Sequence, residues 1–496
     1  MILKINGNIK PYYVQTLAMI FFPGVKFPEN EEETDDTLVL SLDMTEDGGA
    51  VRSRAVIKQG GRTAEGEGEA FIDAVGEREK AEKFSAGEAV MKAGESFTSF
   101  TPPWGILTGV RPAKVASEMY ATGKSESEAA LALSRDYFLT PEKASLAAKV
   151  ATAEKRLITD KSRRECSVYI GIPFCPTRCA YCSFVSYTSP GLLKLIPEYL
   201  TSLGHDIDGM FSVIRETGLR VASVYIGGGT PTILDAPQLS FLLGKVREHI
   251  TGEEEFTLEA GRPDTITADK LKVAKEFGVN RMSVNPQTLN DEVLRAIGRA
   301  HTTEMFYKAY EAARNSGIEN INVDLIAGLP HDSRESFGNS VDGIIALEPE
   351  NITVHTFSVK RSSEFKTEGK FDPYSKMAAE CVEYSLETLT RSGYMPYYMY
   401  RQKNTVGNLE NIGYSKSGHE GLYNIYMMEE VHSVFAAGAS SVTRLVSLPE
   451  RENADGGVRI ERLFHPKYPY EYLRECGEGG CRTEELRKTV HEFFGL

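Results

Sequence analysis

Three cysteines, Cys175, Cys179 and Cys182, fall within eight residues in the pattern C-x3-C-x2-C. Thiolates are soft ligands that suit iron-sulfur clusters or zinc. Structural zinc takes four ligands, and this turn offers three, so one metal corner is left open. A 4Fe-4S cluster held this way has one iron free to take a small molecule. Two plainer readings stand beside it: a zinc loop with a distant fourth ligand, and reduced thiols with no metal. The other cysteines, Cys166, Cys381, Cys476 and Cys481, read as structural or incidental. An odd total of seven, three of them clustered, fits a metal site in a reducing, cytoplasmic setting better than a disulfide framework.

The loop needs elements to hold it. The apolar run Val168 to Ile172 leads into it, and Val221 to Ile226 runs straight into Gly227-Gly228-Gly229-Thr230-Pro231-Thr232. Further strands are expected at 256–259, 281–284, 321–325 and 352–357, with helical stretches at 193–215, 236–250, 268–277, 291–297, 303–316 and 333–347. Such alternation predicts an α/β fold whose parallel sheet is covered by helices, with ligands outside the C-terminal strand ends. A doubly wound sheet fits the same alternation. Upstream, strands at 2–5, 37–42 and 51–57 and helices at 12–21 and 77–92 predict a small α+β domain. Thr101 to Pro112 holds the single tryptophan, three prolines and two glycines. It reads either as a connector into a helix at Lys114 or as a substrate-side lid. Thr140-Pro141 starts a helix ending near Leu157, with proline at its first position. A helix at 374–391, the aromatic run 394–400 and a C-terminal helix at 483–494 complete the chain.

At 496 residues, with 41% hydrophobic and 25% charged residues, the composition is that of an ordinary globular protein of several domains. A formal charge of -14 argues against a general nucleic-acid binder. The longest early apolar run, Leu17 to Phe22, is too short to span a bilayer, and Met1 to Asn6 has no signal-peptide character. The expectation is no nucleic-acid partner and no membrane span.

Taken together, the cysteine loop and the glycine-rich strand end resemble the radical S-adenosylmethionine superfamily. The phrase Tyr169-Ile170-Gly171-Ile172-Pro173-Phe174-Cys175 is similar to that of the oxygen-independent coproporphyrinogen III oxidase family, which also contains haem chaperones. Along its whole length the chain resembles the HemZ-type coproporphyrinogen dehydrogenase branch. The resemblance implies a partial (β/α)6 barrel at 161–400, an N-terminal α+β accessory domain at 1–160 and a mixed, substrate-covering C-terminal region at 401–496. It implies a 4Fe-4S cluster on Cys175, Cys179 and Cys182, with S-adenosylmethionine on the open iron. Gly227, Gly228 and Gly229, where the backbone can approach a ligand closely, and Thr230 would meet the methionine amino group. Glu259 would take the amino or ribose end, and Gln287 and Asp324 the ribose side. Arg299 would offer its fork to the methionine carboxylate. Tyr169 and Arg178 are the candidates beside the reacting centre.

The activity implied is oxygen-independent oxidative decarboxylation of coproporphyrinogen III to protoporphyrinogen IX, in haem biosynthesis, with an electron donor such as flavodoxin or ferredoxin. The alternative is a haem-binding carrier of the same family without that turnover. A substrate with four carboxylates calls for cations, and Arg178, Lys194, Arg262, Lys360, Arg361, Arg401 and Lys403 are candidates. The chain departs from the family at Gly171, where histidine is usual, and at Ser183-Phe184, where the oxidases carry a further cysteine. Asn408 to Tyr414 is loosely similar to the haem-chaperone motif.

Overall fold

Strand β1 (Ile2–Asn6) pairs in parallel with β2 (Val39–Asp47), which turns at Gly48-Gly49 into β3 (Ala50–Gln59) and then β4 (Arg62–Phe71). These four strands form one sheet in the order β1-β2-β3-β4. On β4 the residues facing inward are Ala64, Gly66, Gly68 and Ala70, against helix Arg78–Thr98. A Cβ on Gly66 would stand 2.3 Å from the Ala89 carbonyl, and one on Gly68 would stand 2.2 Å from that of Ser85. The two glycines therefore let helix and sheet approach closely. The computed structural model describes residues 1–28, 32–109, 111–182, 186–358, 375–402, 405–449, 458–476 and 482–496.

The chain divides into two units. The first holds Met1–Thr152 with the described parts of 371–379 and 400–410; the second holds the rest. In the first, Trp104 is fully buried and its indole N–H donates to Glu410 Oε2 at 2.8 Å. Lys143 Nζ donates to Glu410 Oε1 at 2.6 Å, and the Arg401 guanidinium lies 5.4 Å from the indole ring centre. Arg401 also donates to Asn408 Oδ1 at 2.6 Å and to the Leu107 carbonyl. Charges this deep are held by pairing. The prolines and glycines around Trp104 thus fix a packed connector into helix Pro112–Ala121. Arg401, expected among the substrate's cations, is instead committed to this core.

The second unit is built on six parallel strands: β5 (Glu165–Ile172), β6 (Arg220–Gly228), β7 (Glu255–Glu259), β8 (Arg281–Ser283), β9 (Asn320–Ala327) and β10 (Asn351–Thr356). Each pairs with the next in sequence. A doubly wound sheet needs a point where strand order reverses, and this series has none. Helices Ile196–Thr217, Ala236–Arg247, Ala268–Glu276, Thr303–Asn315 and Arg334–Ile345 run between the strands. This is the partial (β/α)6 barrel that the resemblance implies.

Further strands extend both edges. Beside β10 lie the antiparallel β12 (Glu410–Ser415) and then β11 (Met395–Arg401). Beside β5 lie the parallel β13 (Ser433–Ala437) and then β14 (Val442–Val446) and β15 (Ile460–Phe464), both antiparallel. Apolar residues such as Val168, Ile170, Val224, Ile226, Phe256 and Leu258 fill one face of the sheet. The inner face is polar: Ser167 meets Ser223 at 2.6 Å, Asn322 meets Thr353 at 3.0 Å, and the Tyr169 and Tyr225 rings stack. Towards the strands' N-terminal ends, Arg281 pairs with Glu255 at 3.1 Å, and Glu255 accepts the Leu422 N–H at 2.8 Å. No helix among the described residues is long and apolar enough to cross a membrane. Cys166 is a buried free thiol, Cys381 is buried, and Cys476 is disulfide-bonded.

Candidate cluster and cofactor site

The cysteine loop leaves the C-terminal end of β5 and is pinned along its length. The Gly229 N–H donates to the Ile172 carbonyl at 2.7 Å, and the Thr230 N–H donates to that of Phe174 at 2.8 Å. A Cβ on Gly229 would stand 2.5 Å from the Phe174 carbonyl and 2.9 Å from Cys175 Sγ, so a side chain there would push the first thiol aside. Cys175 Sγ lies 3.3 Å from the Thr230 hydroxyl. Further along, the Ala180 N–H donates to the Ile297 carbonyl at 3.0 Å, and Cys182 N–H to that of Cys179 at 3.0 Å. A Cβ on Gly298, at φ 74°, would stand 3.3 Å from the Arg178 carbonyl.

Cys175 is buried, whereas Cys179 and Cys182 are half-buried. Burial pushes the Cys175 thiol up, so its sulfur ionises readily only when a cation replaces the proton. Three soft donors on one pinned loop, with a glycine backbone against the first of them, fit a three-thiolate iron-sulfur cluster.

The residues that the resemblance assigns to the cofactor converge at the same strand ends. Glu259 closes β7; the Tyr225 hydroxyl donates to its Oε2 and Asn285 Nδ2 to its Oε1 at 2.8 Å. Burial, with the Asp324 charge adding to it, raises the Glu259 carboxyl to about 7. Asp324 on β9 accepts from Asn322 Nδ2 at 2.7 Å and lies 3.5 Å from His355 Nε2 on β10. Gln287 sits at φ 71°, a left-handed conformation rare for a non-glycine residue. Backbone bonds to the Asp324 carbonyl at 3.0 Å and from the Ile326 N–H at 2.9 Å hold it there. Arg299 is buried; its Nη2 reaches the Tyr181 hydroxyl at 3.0 Å, and its Nη1 the Gly261 carbonyl at 3.0 Å. Tyr169 is half-buried on the inner face, its ring 3.3 Å from where a Gly227 Cβ would stand.

The other candidates are placed differently. Arg178 is exposed on the loop, and Lys194 is exposed beyond helix Pro190–Leu193. Arg262 is buried and forked onto Asp264, with Nη2–Oδ2 at 2.9 Å, rather than presented to a substrate. Lys360, Arg361, Lys403 and Cys481 lie outside the described residues. Sequence reasoning missed Tyr181, Asn285 and His355. Asn285 precedes Pro286 just past a strand end, a turn signal that marks where ligand groups collect. His355 follows Thr353 by two residues, and strand alternation puts both on the inner face.

A profile of the radical SAM superfamily matches residues 169–343. Over 500 aligned residues, 97% of this chain and 95% of the relative, the sequence is 35% identical to the oxygen-independent coproporphyrinogen-III oxidase-like protein HemZ of Bacillus subtilis. It is 33% identical to the heme chaperone HemW of the same organism, over 65% of this chain and 84% of that one. Among solved structures, the coproporphyrinogen III oxidase of Escherichia coli, described as a radical SAM enzyme, superposes with a TM-score of 0.50 at 20% identity. That match covers 70% of this chain and 82% of the other, and it speaks for the fold alone.

Proposed function

Because the chain belongs to the radical SAM superfamily and, within it, to the HemZ-type family of oxygen-independent coproporphyrinogen-III oxidase-like proteins, we propose that it converts coproporphyrinogen III to protoporphyrinogen IX without oxygen. The observation that carries this reading is the extent of the similarity. It spans both units of the chain, 97% of it, whereas the chaperone match covers 65%. In the reaction, two propionate side chains each lose a β hydrogen atom, carbon dioxide and one electron, and become vinyl groups.

When bound, a reduced 4Fe-4S cluster with S-adenosylmethionine supplies the hydrogen-atom abstraction, chemistry that belongs to the cofactor. The chain's own residues bind and orient. Cys175, Cys179 and Cys182 hold the metal, and Gly227 to Gly229 let a ligand lie against backbone carbonyls. Arg299 takes the carboxylate end of the cofactor, while Glu259, Gln287 and Asp324 take its amino and ribose groups. Tyr169 forms the wall on the β5 side, and Arg178, at the rim, meets a substrate carboxylate. Strands β11–β12 and β13–β15 flank the barrel on its two edges, which supports a covering role for the C-terminal region and the exclusion of water from the reacting carbon. The reaction takes its electrons from a low-potential donor of the flavodoxin or ferredoxin kind, in the cytoplasm.

A haem carrier is the second reading, favoured by the 33% identity to HemW over 84% of that protein. One incubation separates them. Cluster-loaded protein, reduced anaerobically, is given coproporphyrinogen III, S-adenosylmethionine and an electron acceptor. The enzyme yields protoporphyrinogen IX, and none with Cys179→Ala. Stoichiometric haem binding without porphyrinogen turnover overturns the enzyme reading.

A further inference from the structure

The segment that follows Glu259 does more than end a strand. Arg262 is 3% exposed, and its guanidinium makes two parallel bonds to Asp264, Nε–Oδ1 at 3.0 Å and Nη2–Oδ2 at 2.9 Å. The remaining nitrogen, Nη1, reaches across to the cysteine loop. It donates to Thr177 Oγ1 at 2.6 Å and to the Thr177 carbonyl at 3.3 Å. Thr177 lies midway between Cys175 and Cys179.

The anchor of this arm is itself locked. Thr265 Oγ1 donates to the Arg262 carbonyl at 2.8 Å, and Thr232 Oγ1 lies 2.6 Å from Thr265 Oγ1 and donates to the Ala260 carbonyl at 3.0 Å. Thr232 belongs to the glycine-rich strand end that touches Cys175. The other arm of the cysteine loop is tied in parallel, because Arg299 bonds both Tyr181, between Cys179 and Cys182, and the carbonyl of Gly261 next to Arg262. Two buried arginines that meet at one glycine therefore grip the two arms of C-x3-C-x2-C separately.

We infer that Arg262 is a positioning residue for the metal centre: through Thr177 it presets the arm between Cys175 and Cys179 before any metal is bound, and so fixes where Cys179 stands on the assembled cluster. A planar fork suits the task, since it can hold Asp264 on one edge and Thr177 on the other at once. A lysine has the charge but not the geometry. The inference rests on the reading of these cysteines as cluster ligands, and its first test does not need the cluster.

In apo protein, alkylation of each cysteine is timed by mass spectrometry for the parent, Arg262→Gln, Arg262→Lys and Thr177→Val. Charge-assisted bonds of this kind correspond to roughly tenfold or more in an opening equilibrium. Arg262→Gln should speed Cys179 alkylation by about that factor, Arg262→Lys by less, and Thr177→Val by an intermediate amount, with buried Cys166 unchanged. In reconstituted protein the reduced-cluster resonance should change shape in Arg262→Gln and return towards the parent in Arg262→Lys. Unchanged Cys179 alkylation in both Arg262→Gln and Thr177→Val overturns the inference. So does equal acceleration at Cys166, which would mean that the fold as a whole had loosened. Thr177 is exposed, so Thr177→Val keeps the test decisive if Arg262→Gln fails to fold. Failure of the parent to assemble any cluster would instead strike at the functional reading and leave the apo result standing.

Discussion

Glu259 keeps a proton near neutrality because burial and the Asp324 carboxylate both oppose its charge. The sign of the consequence follows from linkage. Its folded-state value, about 7, lies above the unfolded value of 4.5. Below the unfolded value the contribution to stability is fully present, and it is lost as pH rises to the folded value. Ligand-free protein should therefore lose roughly 2–3 kcal/mol between pH 4.5 and 7 from this group. Glu259→Gln should flatten that pH dependence and stabilise the apo protein at pH 8, while weakening S-adenosylmethionine binding. Urea midpoints at pH 5.5 and 8, with equilibrium dialysis of the cofactor, check both halves; a parallel pH dependence in parent and variant would contradict the assignment. Some residues at this scale were legible from their types alone: the three thiols, the glycine triplet and an acid at a strand end. Arg262 and Arg401 were not. A sequence shows the charge of an arginine but not whether the fold has already given it partners: Arg262 has Asp264, and Arg401 has Asn408 and the Leu107 carbonyl.

At the scale of elements, the glycine-rich end of β6 is where a small residue is demanded by contact. The site predicted for a Gly229 Cβ overlaps the Phe174 carbonyl and Cys175 Sγ, and neither can retreat without moving the loop. Gly229→Ala should leave the far-ultraviolet circular dichroism near that of the parent but cost most of the bound iron after reconstitution. Full iron content in this variant would show that the loop is looser than its hydrogen bonds imply. The six barrel strands were readable because apolar residues such as Val168, Ile170, Val224 and Ile226 recur at alternate positions in short runs separated by helical stretches. Strand β4 was not, because its period-two pattern is carried by Ala64, Gly66, Gly68 and Ala70 between exposed glutamates. Weak strand formers hide a strand whose requirement is close helix packing rather than apolar bulk.

Across the whole molecule, the order of the six parallel strands was the point that alternation left open. Alternating strands and helices fit either a barrel or a doubly wound sheet, and only pairing between sequential neighbours decides. The strands after β10 were still less legible. Their partners are β10 on one side and β5 on the other, far away in sequence, and short strands paired at long range leave little local pattern.

The central claim is that one radical centre at the strand ends acts on propionate side chains, and coupling tests it most directly. Coproporphyrinogen III carrying labelled propionate carboxyls is given to reduced, cluster-loaded protein under anaerobic conditions with S-adenosylmethionine in excess. The account predicts that labelled carbon dioxide and 5'-deoxyadenosine appear together, in a constant ratio, until two carboxyls per substrate are lost, with neither formed by Cys179→Ala. Cofactor cleavage that proceeds at the same rate with and without the porphyrinogen, and releases no labelled carbon dioxide, would contradict it.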